Sequence, residues 1–103
     1  MKTAKAVQVF EALSAESRLE VFRLLVKNEP NGLVAGDIAK KMKIPSTTLS
    51  FHLKAIHHTG LISVEKEGRF LRYRANIALV NELIDYLTAE CCTGDSCKPP
   101  RGK

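Results

Sequence analysis

The sequence contains no apolar segment long enough to cross a membrane. Nowhere in its 103 residues does an uninterrupted apolar run approach the roughly 20 residues that a membrane-spanning helix needs. The N-terminal stretch also lacks the unbroken apolar region of a signal peptide, because Gln8 and Glu11 interrupt it soon after Lys5. These absences predict a cytoplasmic protein with no membrane partner.

Cysteine is scarce, and all of it lies near the end of the chain at Cys91, Cys92 and Cys97. Three thiols cannot all pair within one chain, and a reducing cytosol disfavours structural disulfides. The remaining composition is that of an ordinary globular protein, with 45% hydrophobic and 26% charged residues. A chain of this length suits one domain with one modest core.

Sequence signatures of catalysis are also missing. The chain has no metal-hydrolase motif and no glycine-rich phosphate loop. No cysteine has a histidine nearby in sequence that would activate it as a nucleophile. We therefore expect a protein that is not an enzyme.

Positive charge is concentrated in the middle of the chain. The net charge is +5, but residues 40–74 carry eight basic and two acidic side chains, whereas residues 75–97 carry four acidic side chains and no Lys or Arg. The middle segment is the part that a polyanion would attract. A solvated basic surface without a partner is the alternative that charge alone leaves open.

Apolar residues at helical spacing predict four helices in the first 60 residues. They cover about 3–13, a second segment that Ser14 caps and that ends before the turn at 28–32, about 35–41, and about 46–58. A short helix, a tight turn and a longer helix together form a helix-turn-helix. Gly60 is well suited to end the fourth helix in the left-handed conformation.

A period-two pattern follows the helices and predicts a β-hairpin. Strands at 61–66 and 69–74 flank a turn at Glu67-Gly68. Asn76 then caps a last helix from Ile77 to Cys91 or Cys92. The predicted fold is mainly α with a β-hairpin (α+β), a winged helix-turn-helix of order α-α-α-α-β-β-α. We expect a DNA-binding and dimerisation domain at 1–92 and a flexible cysteine-containing tail at 93–103.

The fourth helix has one apolar side and one side that is unusual for solvent exposure. Leu49, Leu53 and Ile56 fall on the first side, and Phe51 lies beside hydroxyls and a lysine on the second. Hydroxyl and ammonium groups can bond phosphates or base edges, and an aromatic ring can contact a thymine methyl. On the hairpin, Arg72 and Arg74 of the outer face could reach phosphates or a minor groove. The candidate DNA-binding residues are Ser46, Thr47, Thr48, Ser50, Phe51, His52, Lys54, Lys66, Arg69, Arg72 and Arg74. The alternative is a solvated amphipathic helix with a charged hairpin.

The last helix has more apolar surface than one core contact uses. Its apolar residues cover an arc of about 180°, whereas packing on one core needs about 100°. In a small domain a second subunit is the simplest partner, and a two-fold dimer would present two fourth helices to the half-sites of palindromic double-stranded DNA. The candidate interface residues, on the first and last helices, are Val7, Phe10, Leu79, Leu83, Tyr86 and Leu87. The alternative is a helix more deeply enclosed by its own chain.

From about Phe10 to Leu87 the sequence resembles the ArsR/SmtB family of winged-helix metal-responsive repressors. The segment "EALSAESRLEVFRLL" is similar to the family's opening motif, with Ser17 where a threonine is usual. The segment "GDIAKKMKIPSTTLSFHLKAIHHTGLI" matches its helix-turn-helix, including the serine-x-histidine-leucine core, and "EKEGRFLRYRA" resembles its wing. The resemblance implies a homodimeric repressor that releases its operator when a metal or metalloid binds.

The sensor positions of that family are only partly present in this chain. Its cysteine pair near the third helix is replaced by Val34-Ala35-Gly36-Asp37, and the last helix contains no histidine for the family's zinc site. Some members instead carry three cysteines at the end of the last helix and sense trivalent arsenic or antimony. This sequence resembles those members, which implies a metalloid site at Cys91, Cys92 and Cys97.

The chemistry of three thiols agrees with a metalloid effector. Thiolates select soft ions, and trivalent arsenic or antimony completes its shell with three sulfurs. Structural zinc takes four ligands, so zinc would need one more group. We expect As(III) or Sb(III) as effector and no catalytic cofactor. Redox sensing by two of the thiols, sensing of zinc, cadmium or lead, and a tail without a role are the alternatives.

Overall fold

The computed structural model describes residues 1–90. Within that range the chain forms five helices and a three-stranded antiparallel sheet in the order β1-β3-β2. The elements are α1 Thr3–Ala12, α2 Glu16–Lys27, β1 Leu33–Val34, α3 Ala35–Met42, α4 Ser46–His57, β2 Ile62–Glu67, β3 Phe70–Ala75 and α5 Ile77–Thr88. The predicted winged helix-turn-helix fold is therefore confirmed. The predicted metalloid ligands and the predicted tail lie outside the described residues.

The core lies where α1 to α4 meet the base of the hairpin. Its fully buried side chains come from every one of these elements, because each presents one apolar face inward. They are Val9, Val21, Leu25, Ile38, Leu49, Leu53, Ile56, Leu61 and Ile62. None of the helices in residues 1–90 is both long and apolar enough to span a membrane.

The start of α2 differs from the prediction. Ser14 does not cap it: the Ser14 Oγ donates to the carbonyl oxygen of Glu11 at 2.9 Å, as the Ser14 amide does at 3.3 Å. The helix begins at Glu16, after Ala15 as its cap residue. The hydroxyl therefore completes the last turn of α1, since a serine between two helices can bond in either direction.

The sheet contains a strand that the sequence pattern did not predict. Leu33 pairs with Tyr73 and Val34 pairs with Arg72, so β1 makes β3 the central strand. A strand of two residues is too short to display a period-two pattern. The hairpin turn also lies one residue later than predicted, at Gly68-Arg69, with Glu67 opposite Phe70. Gly68 has a φ of +62°, the left-handed conformation that such turns require.

The last helix ends earlier than predicted. Asn76 caps it as expected, with its Oδ1 accepting a hydrogen bond from the Leu79 amide at 3.2 Å. The helix stops at Thr88 and not at Cys91 or Cys92, because Ala89 is extended and Glu90 has a φ of +63°. The Thr88 hydroxyl donates to the Ile84 carbonyl at 2.9 Å within this last turn. Two residues therefore separate the end of α5 from Cys91.

Gly32 should be the glycine least tolerant of substitution. It is buried with a φ of +70°, and a Cβ at this position would lie 2.2 Å from the Tyr73 carbonyl oxygen. We expect Gly32→Ala to destabilise the protein by about 2–4 kcal/mol, combining backbone strain with overpacking. At Gly68, φ +62°, a Cβ would meet no atom of residues 1–90 within 4 Å. Gly68→Ala should cost only about 1–2 kcal/mol. Urea unfolding of both variants measures the difference, and equal decreases in stability would contradict it.

Candidate nucleic-acid interface

The helix-turn-helix is formed by α3, a three-residue turn and α4. Lys43 ends α3 in the left-handed conformation, with φ 59° and ψ 44°. The Ile44 amide then donates to the Ala39 carbonyl at 3.2 Å, which closes the turn. Pro45 precedes α4 with a φ of −64° and fixes the entry of the chain into the helix. The turn therefore sets the direction in which α4 projects.

The two sides of α4 are divided as the sequence predicted. Leu49, Leu53 and Ile56 are at most 2% exposed and join the core. On the opposite side Phe51 is 70% exposed. The polar candidates around it are all exposed, namely Ser46, Thr47, Thr48, Ser50 and Lys54. A large aromatic ring held in solvent among hydroxyls and an ammonium forms a surface suited to a DNA groove.

His52 lies at the border between the two sides of α4. It is half-buried, and its Nδ1 is buried without a hydrogen-bond partner among residues 1–90. Its ring centroid lies 6.3 Å from that of Phe51, with the planes tilted by 60°. A buried polar atom without a partner costs about 1–3 kcal/mol. His52 therefore lies beside Phe51 at the edge of the exposed side, and its contact with DNA stays a prediction.

The two faces of the wing follow from the register of β2 and β3. Glu65 is opposite Arg72 and Glu67 is opposite Phe70, so these four side chains share the outer face. The other face carries Tyr73, which is partly buried against the core. Burial raises the pKa of the Tyr73 phenol above its ordinary value, so the group is neutral at physiological pH. The placement of Tyr73 and Arg72 on opposite faces confirms the predicted alternation of side chains along β3.

The four basic candidates of the wing have different environments. Lys66 and Arg69 are exposed near the turn. The Arg72 Nε lies 2.8 Å from the Glu67 Oε2, and the Arg74 Nη1 lies 2.6 Å from the Glu65 Oε1. Both arginines are half-buried, because they also contact the loop between α2 and β1. DNA contact by these four residues stays a prediction, but two of them already have partners within the chain.

The predicted dimer residues divide into exposed and buried groups. Val7 and Phe10 on α1 are 47% and 46% exposed, and Leu87 on α5 is 57% exposed. Leu79 and Tyr86 are partly buried against the core, and Leu83 is only 8% exposed. Leu83 therefore packs within its own subunit, as the alternative interpretation of α5 proposed. Ile77, which the sequence did not single out for the interface, adds an exposed apolar side chain.

Two hydrogen bonds connect the end of α5 with the end of α4 by way of α1. The Tyr86 hydroxyl bonds the Thr3 Oγ1 at the start of α1. Two residues later, the Lys5 Nζ donates to the Thr59 carbonyl at 2.5 Å, just beyond α4. The buried Thr59 hydroxyl in turn donates to the Ile56 carbonyl within α4 at 2.8 Å. The first turn of α1 is thus hydrogen-bonded both to the end of α5 and to the residue pair that follows α4.

Residues 1–90 contain no group of three or more His, Cys, Asp and Glu side chains placed to hold a metal ion. This range includes His52, His57 and His58, all the histidines of the chain. The three cysteines of the metalloid site predicted from the sequence lie outside this range.

Comparison with known proteins identifies transcriptional regulators as relatives of this chain. A helix-turn-helix domain profile matches residues 13–65. The chain is 32% identical over 79 residues to the arsenical resistance operon repressor of Staphylococcus aureus, covering 77% of this chain and 73% of that protein. It is 29% identical over 90 residues to the transcriptional activator HlyU of Vibrio cholerae, covering 87% and 81%.

Similar solved structures include an ArsR-like transcriptional regulator from Rhodococcus sp. RHA1. Its TM-score is 0.71 at 32% identity, over 82% of this chain and 76% of that one. Reduced HlyU from Vibrio cholerae has a TM-score of 0.68 at 29% identity, over 87% and 92%. A homodimeric winged helix-turn-helix DNA-binding domain from Mycobacterium bovis has a TM-score of 0.66 at 26% identity, over 82% and 83%.

Proposed function

The chain belongs to the ArsR/SmtB family of winged helix-turn-helix transcriptional regulators, and we propose that it is a homodimeric repressor that binds palindromic operator DNA through α4. The exposed face of α4 is the observation that carries this proposal. Its opposite face is fully buried, so the helix is fixed in one orientation. Hydroxyls, a lysine and a 70% exposed phenylalanine are thereby directed outward together.

The groups on α4 are suited to different parts of a DNA duplex. Thr47 and Ser50 can donate to or accept from base edges, because a hydroxyl does both. Phe51 offers apolar area to a thymine methyl. Lys54 carries a charge for a phosphate, and Lys66 and Arg69 add charge from the wing. Phosphate contacts fix the position of the protein on the duplex, and base contacts provide sequence preference.

A dimer is supported by exposed apolar side chains on two helices that hydrogen-bond to each other. Val7 and Phe10 of α1 and Ile77 and Leu87 of α5 are each between 39% and 57% exposed. Such side chains on a small domain indicate an interface. The similar Mycobacterium bovis domain is homodimeric. Two-fold symmetry would place the two α4 helices on half-sites about one helical turn apart.

Lys54→Gln should weaken DNA binding and flatten its dependence on salt. Removing one phosphate contact lowers the slope of log affinity against log salt concentration by about 0.9, so the slope of a dimer should fall by about 1.8. Fluorescence anisotropy at salt concentrations from about 50 mM to about 300 mM measures the slope. Lys27→Gln is the matched control, because Lys27 is also an exposed lysine but lies at the end of α2. The proposal fails if both variants keep the wild-type slope.

As effector we propose trivalent arsenic or antimony, bound by Cys91, Cys92 and Cys97. The support is chemical: three thiols lie within seven residues of sequence, and three sulfurs complete the shell of a trivalent metalloid. The relative in Staphylococcus aureus is an arsenical resistance operon repressor. Binding converts neutral arsenous acid and three thiols into an arsenic tris-thiolate and three molecules of water.

The hydrogen bonds made by α1 provide a way for a change at the proposed site to affect the DNA-binding helix α4. Cys91 follows α5 after two residues, and α5 is joined to α4 by the bonds of Tyr86 with Thr3 and of Lys5 with Thr59. A shift of the end of α5 would therefore bear on the end of α4. Effector binding needs only to favour one of two arrangements by about 1–3 kcal/mol.

A thiol redox switch is the second candidate function. In it a peroxide would oxidise two of the three thiols to a disulfide and be reduced to water and an alcohol or a second water. The similarity to reduced HlyU from Vibrio cholerae supports this candidate. Arsenite and peroxide titrations of the DNA complex separate the two candidates.

A further inference from the structure

The loop between α2 and β1, residues 28–32, lies against the wing. The Arg72 Nη1 donates to the carbonyl oxygens of Asn31 at 3.2 Å and Gly32 at 3.4 Å. The Arg74 Nε donates to the Pro30 carbonyl at 3.2 Å. Two arginines of β3 thus bind three consecutive carbonyl groups of a loop that is about 40 residues away in sequence.

The same two arginines also bind the neighbouring strand. The Arg72 Nε donates to the Glu67 Oε2 at 2.8 Å, and the Arg74 Nη1 donates to the Glu65 Oε1 at 2.6 Å. Each guanidinium therefore joins β2 to the loop across β3. A guanidinium has a fixed fork of donors, so this bridging arrangement depends on arginine and not on positive charge alone.

Two further contacts fix the loop from its own side. The Glu29 Oε2 accepts a hydrogen bond from the Ala75 amide at 2.8 Å, at the end of β3. Gly32 passes so close to the Tyr73 carbonyl that only a residue without a Cβ fits. The loop and the two strands of the wing consequently form one connected unit.

We propose that Arg72 and Arg74 are positioning residues that hold the wing against the 28–32 loop, and that Lys66 and Arg69 supply the wing's charge to DNA. This inference rests on the proposed DNA-binding function and names how its wing works. A phosphate could take the Arg72 Nε or the Arg74 Nη1 only by displacing Glu67 or Glu65. Lys66 and Arg69 are exposed near the turn and need no such exchange.

The two roles give opposite results when the glutamates are neutralised. If the arginines bind phosphates, Glu65→Gln and Glu67→Gln release them and tighten DNA binding. If the arginines position the wing, the same substitutions loosen it and weaken binding. A gain in affinity in either glutamate variant would overturn the proposal.

The test measures anisotropy against salt concentration with a duplex that the wild-type protein enriches from a random-sequence library. Glu65→Gln and Glu67→Gln, which each weaken one charge-assisted bond, should bind roughly tenfold more weakly with the wild-type salt slope. Arg72→Gln and Arg74→Gln, which also lose the loop contacts, should bind at least as weakly with the same slope. Lys66→Gln and Arg69→Gln should lower the slope by about 0.9 per contact in each subunit. A lower slope in Arg72→Gln or Arg74→Gln would contradict the inference.

Hydrogen exchange of the free protein provides a readout independent of DNA. The Gly32 amide donates to the Asn28 carbonyl at 2.8 Å and should exchange faster in Arg72→Gln and Arg74→Gln, but not in Arg69→Gln. Unchanged exchange in both arginine variants would overturn the positioning role. If the wild-type protein enriches no duplex, the proposed function fails, and the exchange rates alone decide whether the arginines hold the loop.

Discussion

A protein carrying Phe10→Glu and Leu87→Glu is expected to be a folded monomer whose operator affinity is at least about a hundredfold below that of the wild type. Both side chains are about half exposed in the subunit, so their replacement leaves the core intact. In a dimer, burial of the half that is still exposed would contribute about 0.7–1.5 kcal/mol for each side chain. Two-fold symmetry doubles that effect, and uncompensated carboxylates at an apolar interface add to it.

The decrease in DNA affinity follows from the absence of the second α4 helix. Two linked binding heads exceed the affinity of one by roughly 10²–10⁴ when the geometry lets both bind. Sedimentation equilibrium measures the mass of the variant, and anisotropy on a selected palindrome measures its affinity. Leu19→Glu is the matched control, because Leu19 is 42% exposed but lies on α2. A double variant that remains dimeric would exclude this surface as the interface.

Replacement of Cys91, Cys92 and Cys97 together by serine should abolish the response to arsenite without changing DNA affinity in its absence. In the wild type, arsenite should weaken operator binding by about 5- to 150-fold, the usual range of coupling between two sites. Serine oxygens do not replace thiolates for a soft trivalent ion. Arsenite titration of the protein–DNA complex, followed by anisotropy, measures the effect.

Single substitutions and other effectors distinguish the alternatives. Each single Cys→Ser variant should lose most of the arsenite response, because a trivalent metalloid uses all three sulfurs. A redox switch needs only two thiols, so one single variant would keep its response to peroxide. Release of DNA by peroxide but not by arsenite in the wild type would contradict the metalloid proposal. Release by zinc or cadmium alone would indicate a site with a further ligand.

Much of the fold is predictable because its helices have regular apolar faces and clear ends. Pro45 and Gly60 mark the limits of α4, and its predicted range differs from the structure by one residue. β1 escapes prediction because its two residues are a strand only through pairing with Tyr73 and Arg72. The end of α5 is predicted too late, since its apolar pattern continues beyond the backbone change at Ala89 and Glu90.

The candidate site is predictable where a single helix determines it. The exposure of Phe51 and the burial of Leu49 and Leu53 follow from position on one helix. The environments of Arg72 and Arg74 depend on the 28–32 loop, and no local pattern indicates a contact across about 40 residues. Their alternation with Glu65 and Glu67 is the available signal, because residues opposite each other in a hairpin share a face.

Selection of DNA sites from a random-sequence library by the wild-type protein and by Phe51→Ala tests the central claim most directly. The wild type should enrich an inverted repeat whose half-site centres lie about 10–10.5 base pairs apart. Phe51→Ala should retain binding but lose preference at the same base pair of each half-site, because a base contact carries specificity whereas a phosphate contact does not. Enrichment of the same sequence profile by both proteins, or of no sequence by the wild type, would contradict the assignment of α4 as the DNA-reading helix.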